Sequence, residues 1–413
     1  MTIMEISPPR APDADSLRRL LQSGPSADAV AQLLPGGGAV HLSVERLHFP
    51  RAKPVQAQIR AVWADGKSQT LLGEWVGDRA ADIARLEGDR LAKPRRGQAT
   101  DRPAIVGDPE RGLVLRRPGY DAKLPGLRLL HDPLWAAERL SDLGLDPTSG
   151  IELVAHRLGK RAVLRISGPS GSHYARLRPV TSTSGRQAYE RHLALWEALQ
   201  SVGGLSIPRP VCFVDDIGLA LFDALPGRSP TFQGLEGFRA TAAVMKAIAA
   251  IQAFNIAAPI HTPEDELALL GDWSDRLESV FPDLAAEMEA PLSKLRDQMS
   301  ALSPKDGVLC HRDLHEGQVL MRDGQAGLLD FDTLRRGDSA LDAGNLQAHL
   351  ILAGLRDGGS RRAFVTSVDN ALPSLPLARI ALWRRAALLR LAMIYAFSAE
   401  RREVIRDLIG EGA

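Results

Sequence analysis

The sequence has few cysteines, few aromatic residues, no excess of charge of one sign and no long uncharged apolar run. Its two cysteines, Cys212 and Cys310, both lie in apolar stretches. This placement argues against a disulfide framework and favours a reducing compartment, so we expect a cytoplasmic protein. The first ten residues carry Glu5 and two prolines where a secretory signal has basic residues and then an apolar run. No export signal is therefore expected.

The charge balance and the low aromatic content limit the expected partners. Lys and Arg number 51 against 50 Asp and Glu, and aromatic residues make up 5% of the 413 residues. Neither a basic surface for duplex nucleic acid nor a stacking platform for single strands is indicated. The most apolar late stretch, residues 377–397, contains four arginines, too many for a membrane span. We expect no nucleic-acid partner and no membrane segment, and the sequence leaves the oligomeric state open.

Hydrophobic periodicity divides the chain into four regions, an arrangement within the usual range of domain sizes. The first region holds one amphipathic helix, Ser16–Leu34, followed by the candidate hinge Gly36-Gly37-Gly38. The second is predicted to be a small α/β layer, the third repeats the same order of strands and helix, and the fourth is mainly helical with a short catalytic segment. The regions are 1–35, 36–149, 150–230 and 231–413, with the catalytic segment at 308–345.

The second and third regions share a local sequence pattern. Arg102–Val106 resembles Arg209–Phe213, which lies 107 residues later, and Gly112–Leu115 resembles Gly218–Leu221, which lies 106 residues later. Self-similarity at a fixed offset suggests duplication of one supersecondary unit, although two strands joined by an acidic turn also match by chance. We treat duplication as a hypothesis.

A near match to a phosphate-binding loop in the second region is rejected. The stretch 61–68, AVWADGKS, has Ala61 where the Walker A motif requires glycine, and no long helix follows Ser68. The Asp65-Gly66 pair is better explained as a hairpin turn.

The most informative stretch is residues 308–332, VLCHRDLHEGQVLMRDGQAGLLDFD. Two short apolar runs flank Asp323-Gly324, the dipeptide that best supplies the positive φ angles of a tight hairpin. Antiparallel pairing about this turn places Gln318 opposite Leu329, and therefore brings an amide oxygen close to the Asp330 carboxylate. One amide and one carboxylate oxygen suit magnesium, with room left for water and phosphate oxygens. Asp313, five residues upstream, is placed to accept a proton from an attacking hydroxyl or to orient it.

Simpler explanations of the same residues must be weighed. Asp-Gly hairpins are common, and loop carboxylates usually cap helices or face water. His311 and His315 have the spacing of a zinc pair, but Gly317 prevents a long helix and the sequence shows no third ligand. We therefore expect His311 to be packed rather than metal-bound. The combination of His-x-Asp, an amide and Asp-Phe-Asp across one hairpin favours phosphoryl transfer.

This segment resembles the catalytic segment of the aminoglycoside phosphotransferase/choline kinase superfamily, which shares a bilobal architecture with protein kinases. The resemblance implies an α+β, protein-kinase-like fold with a small β-rich lobe and a large helical lobe, here preceded by an extra N-terminal α/β cap. It implies that Asp313 is the catalytic aspartate and that Asp330 and Gln318 hold Mg²⁺, although the family usually has Asn where Gln318 stands. Asp342, in the run 337–342, is expected to brace the catalytic loop.

The resemblance also assigns residues of the small lobe. Arg176, on the second strand of the small lobe, is expected to position the nucleotide phosphates and to pair with Glu190 on the following helix, and Arg178 on the same strand face is the alternative cation. The loop around Gly159 has a single glycine where protein kinases have three. Asp223 and Ala224 occupy the expected hinge that contacts the adenine.

Two hints about the acceptor point in opposite directions. An acidic stretch that includes Glu264, Glu266 and Asp272 would suit a cationic amine, and the arginine-rich region 377–402 would suit an anionic or sugar acceptor; solvated helix faces explain such charges more simply. Arg116, Arg117 and Lys123 of the second region either help to close the cleft or are solvated surface charges.

The leading function is therefore an ATP- and Mg²⁺-dependent kinase that acts on a small-molecule hydroxyl such as that of an aminoglycoside, choline or a sugar. The alternative is a nucleotide-binding pseudokinase that serves as a regulatory or partner-binding module. A protein kinase is less well supported, because the three-glycine loop and the terminal Ala-Pro-Glu of an activation segment are missing.

Overall fold

The structure is a computed structural model, and it describes most of the chain. The described residues are 12–34, 41–49, 54–91, 103–169, 171–201, 205–302, 307–358, 361–372, 374–398 and 403–413. The candidate hinge Gly36-Gly37-Gly38 lies outside them.

The N-terminal segment forms two helices, α1 (Ala14–Ser23) and α2 (Ala27–Leu33), and the prediction of one continuous helix is wrong. Gly24 ends α1: it has a positive φ of +66°, which favours glycine, and its amide donates to the Leu20 carbonyl. Pro25 follows, and the Ser26 side chain then accepts the Ala29 amide at the start of α2. A Gly-Pro break and a new cap therefore outweigh the amphipathic periodicity.

The second region folds into a five-stranded antiparallel sheet with one helix. The strand order is β1-β2-β3-β5-β4. The Asp65-Gly66 pair turns the chain between β2 and β3, with Gly66 at φ +80°, so this stretch is a hairpin turn as predicted. Beneath α3 lies a small apolar core that includes Val76, Ala80 and Val114. The elements are β1 (His41–His48), β2 (Gln56–Val62), β3 (Ser68–Trp75), α3 (Ala80–Leu91), β4 (Ile105–Asp108) and β5 (Leu113–Arg116).

The third region repeats this order of elements. A short 3₁₀ segment (Pro125–Leu130) and helix α4 (Pro133–Asp142) lead into three antiparallel strands, a helix, one very short strand and a further pair of strands. These are β6 (Gly150–Arg157), β7 (Arg161–Gly168), β8 (Gly171–Leu177), α5 (Ser184–Leu199), the short β9 (Leu205–Ser206), β10 (Pro210–Val214) and β11 (Leu219–Asp223).

Backbone irregularities recur at matching places in the two regions. The first hairpin of each has a register shift in its first strand, between Val44 and Arg46 in β1 and between Leu153 and Ala155 in β6. The last strand of each is preceded by a left-handed glycine, Gly112 with φ +65° and Gly218 with φ +61°. β-Bulges and left-handed glycines occur at particular positions and are not general features of hairpins.

The remaining chain is mainly helical and carries two small sheets. Strands β12 and β15 pair antiparallel, β13 and β14 form a hairpin, and β9 adds to β14 in parallel. Helix α9 is buried on almost every face and approaches α11 closely at Gly344, where a Cβ would lie 2.6 Å from the Arg384 amide nitrogen. The helices are α6 (Gly234–Gln252), α7 (Pro263–Val280), α8 (Pro282–Ser300), α9 (Leu341–Asp357), α10 (Arg362–Ala371), α11 (Leu377–Ala396) and α12 (Ile405–Gly412). The strands are β12 (Val308–Cys310), β13 (Val319–Arg322), β14 (Gln325–Leu328) and β15 (Arg335–Gly337).

The chain separates into two compact units. One comprises Met1–Ser182, Val214–Leu219 and Phe397–Arg402, and the other comprises Thr183–Phe213, Ala220–Ala396 and Glu403–Ala413. Within the described residues, none of the helices is both long enough and apolar enough to cross a membrane.

Candidate active site

The predicted hairpin is present and has the predicted register. Asp323 and Gly324 have φ angles of +52° and +76°, the pair of positive values that a type I′ turn requires. Val319 pairs with Leu328, and the Leu329 amide donates to the Gln318 carbonyl at 2.9 Å. Gln318 and Leu329 therefore face each other at the open end, which confirms the sequence argument.

A residue next to the predicted catalytic aspartate and one of the predicted metal ligands adopt left-handed backbone. Arg312 has φ +67° and Asp330 has φ +60°. Such conformations are costly for residues with a side chain and persist only where the surroundings fix them, most often at functional sites. They re-aim the chain immediately before Asp313 and at the end of the hairpin.

Asp342 at the start of α9 braces the catalytic loop. Its Oδ2 accepts the His311 amide and its Oδ1 accepts the Arg312 amide, each at 2.8 Å. The carboxyl is fully buried, and burial raises its pKa above the ordinary value although His311 and Arg312 act in the opposite direction. The expected structural role of Asp342 agrees with these two hydrogen bonds, which hold the strained Arg312 backbone.

His311 connects the catalytic loop to the hairpin. Its ring is fully buried, its Nδ1 accepts the Asp313 amide at 3.3 Å, and its Nε2 lies 2.7 Å from the Leu329 carbonyl. These partners assign the proton to Nε2, which then donates to Leu329. His311 is packed, as expected, and both of its ring nitrogens contact groups of the fold. One imidazole thus ties Asp313 to the residue before Asp330.

An aromatic column lies behind this loop. The Phe331 ring contacts His311 with ring centroids 4.9 Å apart and His192 with centroids 5.5 Å apart, and His192 in turn contacts Phe222 at 4.8 Å. The His192 ring is also within 2.7 Å of the Pro208 carbonyl. The residue that follows Asp330 is therefore anchored in packed side chains from α5 and β11.

The donor chemistry at the hairpin end fits a magnesium ion. Gln318 offers an amide oxygen and Asp330 a carboxylate, and both side chains are partly accessible. Hard oxygen donors with open positions for water and phosphate suit Mg²⁺ rather than zinc. Asp313 is also partly accessible and stands in the loop that leads to the same end, where a carboxylate can accept a proton from a hydroxyl.

A buried ion-pair network supports the same loop from behind. Asn345 donates to the Leu314 carbonyl at 3.2 Å and accepts Arg390 at 2.8 Å. Arg390 also binds Glu266, whose second oxygen lies 2.9 Å from His261. Burial alone would raise the pKa of Glu266, but the Arg390 charge and the His261 hydrogen bond lower it to about 2.

This network overturns part of the reasoning about the acceptor. Glu266, one member of the acidic stretch, is only 2% exposed, and its partner is an arginine of the stretch 377–402. Arg379 of the same stretch binds Asp338, at 2.7 Å from its Nε. Glu266 and these arginines therefore neutralise acids and bases of the fold itself, and neither the acceptor nor the solvated-face explanation holds for them.

The residues predicted for the small lobe are placed on regular elements. Arg176 lies on β8 opposite Val163, on the third strand of this region rather than the second as predicted, and Arg178 lies just beyond the end of β8. Glu190 lies on α5, where its Oε1 is 3.9 Å from Arg186, and both side chains are about half exposed, at 58% and 44%. The pairing of Arg176 with Glu190 stays a prediction.

Gly159 stands at the tip of the β6–β7 hairpin with φ +61°. Its amide donates to Asp121 Oδ2 at 2.5 Å, and the His156 ring donates to the same oxygen at 3.3 Å. Burial would raise the pKa of Asp121, but the hydrogen bonds from His156, Gly159 and Lys123 lower it. The predicted phosphate-covering loop is therefore held by a carboxylate of the N-terminal region, a contact that the sequence analysis did not identify.

Asp223 and Ala224 follow strand β11, as the predicted hinge requires. The Asp223 side chain accepts Arg209 Nε at 2.6 Å, and the Asp223 amide donates to the Arg209 carbonyl at 2.9 Å. The amide and the carboxylate of Asp223 are thus both engaged within the fold.

The basic residues of the second region do not share one role. Arg116 is 3% exposed and binds Glu74 at 3.0 Å and Glu87 at 2.6 Å, so it is a buried ion-pair residue rather than a solvated or cleft-closing one. Arg117 lies over the Tyr120 ring, 5.0 Å from its centroid. Lys123 reaches the Gly159 turn, where a glycine Cβ would lie 3.3 Å from its Cδ.

One cluster near the site was missed by sequence reasoning. His315, Glu316 and His349 bring three ligand-type atoms within 4.8 Å of one another. The two histidines are 34 positions apart, so only the packing of α9 against the loop unites them. Burial and the neighbouring His315 and Arg390 charges lower the pKa of His349 to about 3.

Comparison with known families identifies the chain. Residues 150–373, more than half of the sequence, match the family described as the Phosphotransferase enzyme family. The protein belongs to this family, and its mixed α+β fold is of the protein-kinase-like type.

Individual similar proteins are more distant or shorter in overlap. An uncharacterized protein of Deinococcus radiodurans is 35% identical over 135 residues, which are 30% of this chain and 37% of that protein. The chain thus spans little more than a third of the length of that curated relative. An amicoumacin kinase in complex with AMP-PNP, Ca²⁺ and Ami has 16% identity and a TM-score of 0.47, covering 63% of this chain and 87% of that one. A macrolide 2'-phosphotransferase from Brachybacterium faecium has 18% identity and a TM-score of 0.46, covering 67% and 97%.

Proposed function

We propose that this protein is an ATP- and Mg²⁺-dependent phosphotransferase that moves the γ-phosphate to a hydroxyl group of a small molecule. The observation that supports this most strongly is the double brace on the catalytic loop. Asp342 fixes the backbone before Asp313, and the His311 ring ties Asp313 to the residue before Asp330. Phosphoryl transfer depends mainly on positioning and charge, and this arrangement supplies positioning.

Each residue at the hairpin end has a proposed task. Asp313 accepts a hydrogen bond from the acceptor hydroxyl, orients it for in-line attack and takes its proton. Asp330 and Gln318 would hold Mg²⁺, which when bound neutralises charge on the nucleotide phosphates. The longer Gln318 side chain presents the same amide oxygen as the family's usual Asn.

The nucleotide contacts carried over from the family resemblance are also proposals. Arg176 forks onto phosphate oxygens and is oriented by Glu190. The Gly159 turn covers the phosphates. Asp223 and Ala224 present backbone groups to the adenine edge.

We propose that residues 36–149 are a degenerate copy of the nucleotide-binding lobe. The matching order of elements, strand bulges and left-handed glycines supports this proposal. The two regions can be aligned on the residue pair nearest the turn in their first hairpins, β1–β2 and β6–β7. In that alignment, Leu72 of β3 occupies the position that Arg176 has in β8. The first copy thus lacks the phosphate-positioning cation, which fits a cap rather than a second catalytic lobe.

We also propose that the protein works in the cytoplasm. Cys212 and Cys310 are both free, and Cys310 is buried with its pKa raised by that burial. Unpaired thiols of this kind are typical of reducing compartments.

The proposed chemistry is tested by Asp313→Asn, assayed for phosphate transfer from ATP to a panel of amines, aminoglycosides and sugars. We expect at least a 100-fold loss of transfer with nucleotide affinity retained, because the substitution removes the proton acceptor but not the nucleotide contacts. The matched control is Asp323→Asn, which changes an exposed carboxylate at the other end of the same hairpin.

The pseudokinase alternative makes a different prediction for the same pair of variants. If the wild-type protein binds ATP but transfers phosphate to no acceptor and Asp313→Asn changes nothing measurable, the protein is a binding module. Equal activity of Asp313→Asn and Asp323→Asn in an active enzyme would remove Asp313 from the mechanism.

A further inference from the structure

A cluster of metal-ligand side chains lies beside the Gln318 turn, on the loop and helix α9. His315 and Glu316 come from the 3₁₀ turn that ends at Gln318, and His349 comes from two turns inside α9. One ligand-type atom from each lies within 4.8 Å of the others, and all three residues are partly buried. Among the described residues, this is the group of three or more His, Cys, Asp and Glu side chains whose ligand atoms come this close together.

Two of the three side chains have potential metal-ligand atoms that form no hydrogen bond with any described residue. Glu316 Oε2 is buried and makes no hydrogen bond to any described residue. A buried carboxylate oxygen without a partner is costly, so its retention calls for an explanation. No described residue hydrogen-bonds to the His349 ring either. The third side chain, His315, accepts the Gly317 amide at Nδ1, at 3.1 Å, and keeps its Nε2.

We propose that His315, Glu316 and His349 form a binding site for a transition-metal ion, with zinc as the expected occupant. Two imidazoles and one carboxylate make a three-ligand zinc set, in which water completes the tetrahedron. Imidazole donors favour such ions over magnesium, whose hard oxygen ligands lie instead at Gln318 and Asp330. The site is independent of the proposed phosphotransferase activity and requires no nucleotide.

The present ring geometry is close to what such coordination needs. The His315 and His349 rings have centroids 5.0 Å apart and planes 29° apart. Zinc–nitrogen bonds of about 2 Å in a tetrahedron place two ring centroids about 5 Å apart. The ligand atoms must approach each other by about 1.5 Å at most, since tetrahedral ligands lie about 3.3 Å apart. Coordination would therefore require rotation of the His315 and Glu316 side chains, which are both partly exposed.

The neighbouring arginine does not oppose a cation here. The Arg390 charge helps to lower the pKa of His349, but Arg390 is bound to Glu266 and to Asn345. Its charge is therefore compensated within the fold.

A metal at this position would act on structure. It would join the 3₁₀ turn of residues 316–318 to α9, the helix whose Asp342 already braces the other side of the loop. The ion would thereby restrict the backbone of Gln318. We expect binding to stabilise the folded protein, because the ligands come together only in the native state.

The test is calorimetric titration of the full-length, chelator-treated protein with ZnCl₂, without nucleotide or magnesium. We expect one ion per chain, and we expect His349→Gln and Glu316→Gln each to weaken binding about 100-fold or more. His41→Gln, which removes an exposed histidine on β1, is the matched control and should bind zinc as the wild type does. Zinc should also raise the melting temperature of the wild type and leave that of His349→Gln unchanged.

The proposal is overturned if the wild type binds no zinc, or if both ligand variants bind it as tightly as the control. Circular dichroism of the metal-free variants guards against unfolding as the cause of lost binding. Because ATP is absent throughout, failure of zinc binding would not bear on the phosphotransferase proposal. A zinc site without ATP binding would, conversely, leave the present inference intact.

Discussion

At the scale of single residues, the candidate site depends on side chains that fix backbone rather than touch substrate. Asp342 accepts two consecutive amides of the catalytic loop, and His311 joins that loop to the hairpin. A neutral Asn at position 342 would accept one amide and turn its own NH₂ group towards the other. The left-handed Arg312 would then lose half of its support.

We therefore predict that Asp342→Asn lowers kcat for phosphoryl transfer about 100-fold, since small misplacements of a catalytic group have effects of that size. The free energy of unfolding should fall by much less than the activation free energy rises. The reason is that burial raises the pKa of Asp342 and so already penalises its charged form. Steady-state kinetics and urea unfolding check both parts. The exposed Asp357→Asn on the same helix is the control, and an unchanged kcat for Asp342→Asn would refute the bracing role.

The buried Glu266–Arg390 pair gives a prediction about pH. The folded pKa of Glu266 is about 2 against an ordinary 4.5, so its stabilising contribution is fully present above pH 4.5 and disappears as the pH falls towards 2. At pH 7 we expect Glu266→Gln to lose about 3 kcal/mol of unfolding free energy, because Arg390 loses its buried partner. The exposed Glu264→Gln should change it by less than about 0.5 kcal/mol.

Urea unfolding of the Glu266→Gln variant and the wild type from pH 7 to pH 3 measures this effect. The difference between them should shrink steadily below pH 4.5. A difference that stays constant, or that grows in acid, would show that the charge of Glu266 does not stabilise the fold.

At the scale of elements, the sequence predicted those features that a local rule determines. The hairpin followed from Asp323-Gly324, and its register followed from antiparallel pairing about that turn, so the opposition of Gln318 and Leu329 was foreseeable. The helix split at Gly24-Pro25 was missed because the amphipathic pattern continues through it. A short break and new cap leave the periodicity of a sequence almost unchanged.

Contacts between distant parts of the chain were not predictable from one sequence. Glu266 and Arg390 looked like opposite hints about an acceptor, yet they bind each other across 124 positions. His349 joins His315 only through the packing of α9. Side chains on different elements meet by tertiary geometry, and neither spacing nor composition carries that information.

Two glycines with open space around them, Gly324 in the hairpin turn and Gly271 in α7, should change stability in opposite directions when replaced by alanine. Gly324 has φ +76° and open space around it, so Gly324→Ala meets no clash and costs only backbone strain, about 1 to 2 kcal/mol of stability. Gly271 lies inside α7, also in open space, and Gly271→Ala should stabilise by about 0.5 to 1 kcal/mol. Denaturant unfolding of both variants checks the pair. Stabilisation by Gly324→Ala would contradict the type I′ assignment.

At the scale of the molecule, the N-terminal region is structurally bound to the strands that begin the family match. Asp121 holds the Gly159 turn, and Gly126 packs so closely against β8 that a Cβ there would lie 2.5 Å from a Leu177 methyl. The chain from residue 150 onwards therefore lacks partners for buried groups.

We predict that a chain beginning at Gly150 does not fold cooperatively, although the family match begins there, because Leu177 and the Gly159 amide lose their partners. Thermal melting followed by circular dichroism is the measurement. In the full-length chain, Asp121→Asn should cost about 1 to 3 kcal/mol, the range for an unmatched buried polar group. A sharp melting transition in the shortened chain would show that the N-terminal region is dispensable for folding.

The measurement that tests the central claim most directly is calorimetric titration of the full-length protein with ATP, with and without Mg²⁺, beside the Asp330→Ala variant. The account predicts binding that magnesium strengthens in the wild type and a loss of that magnesium dependence in Asp330→Ala, because Asp330 would supply the carboxylate ligand. Absence of ATP binding by the wild type, or equal magnesium dependence in both proteins, would contradict it.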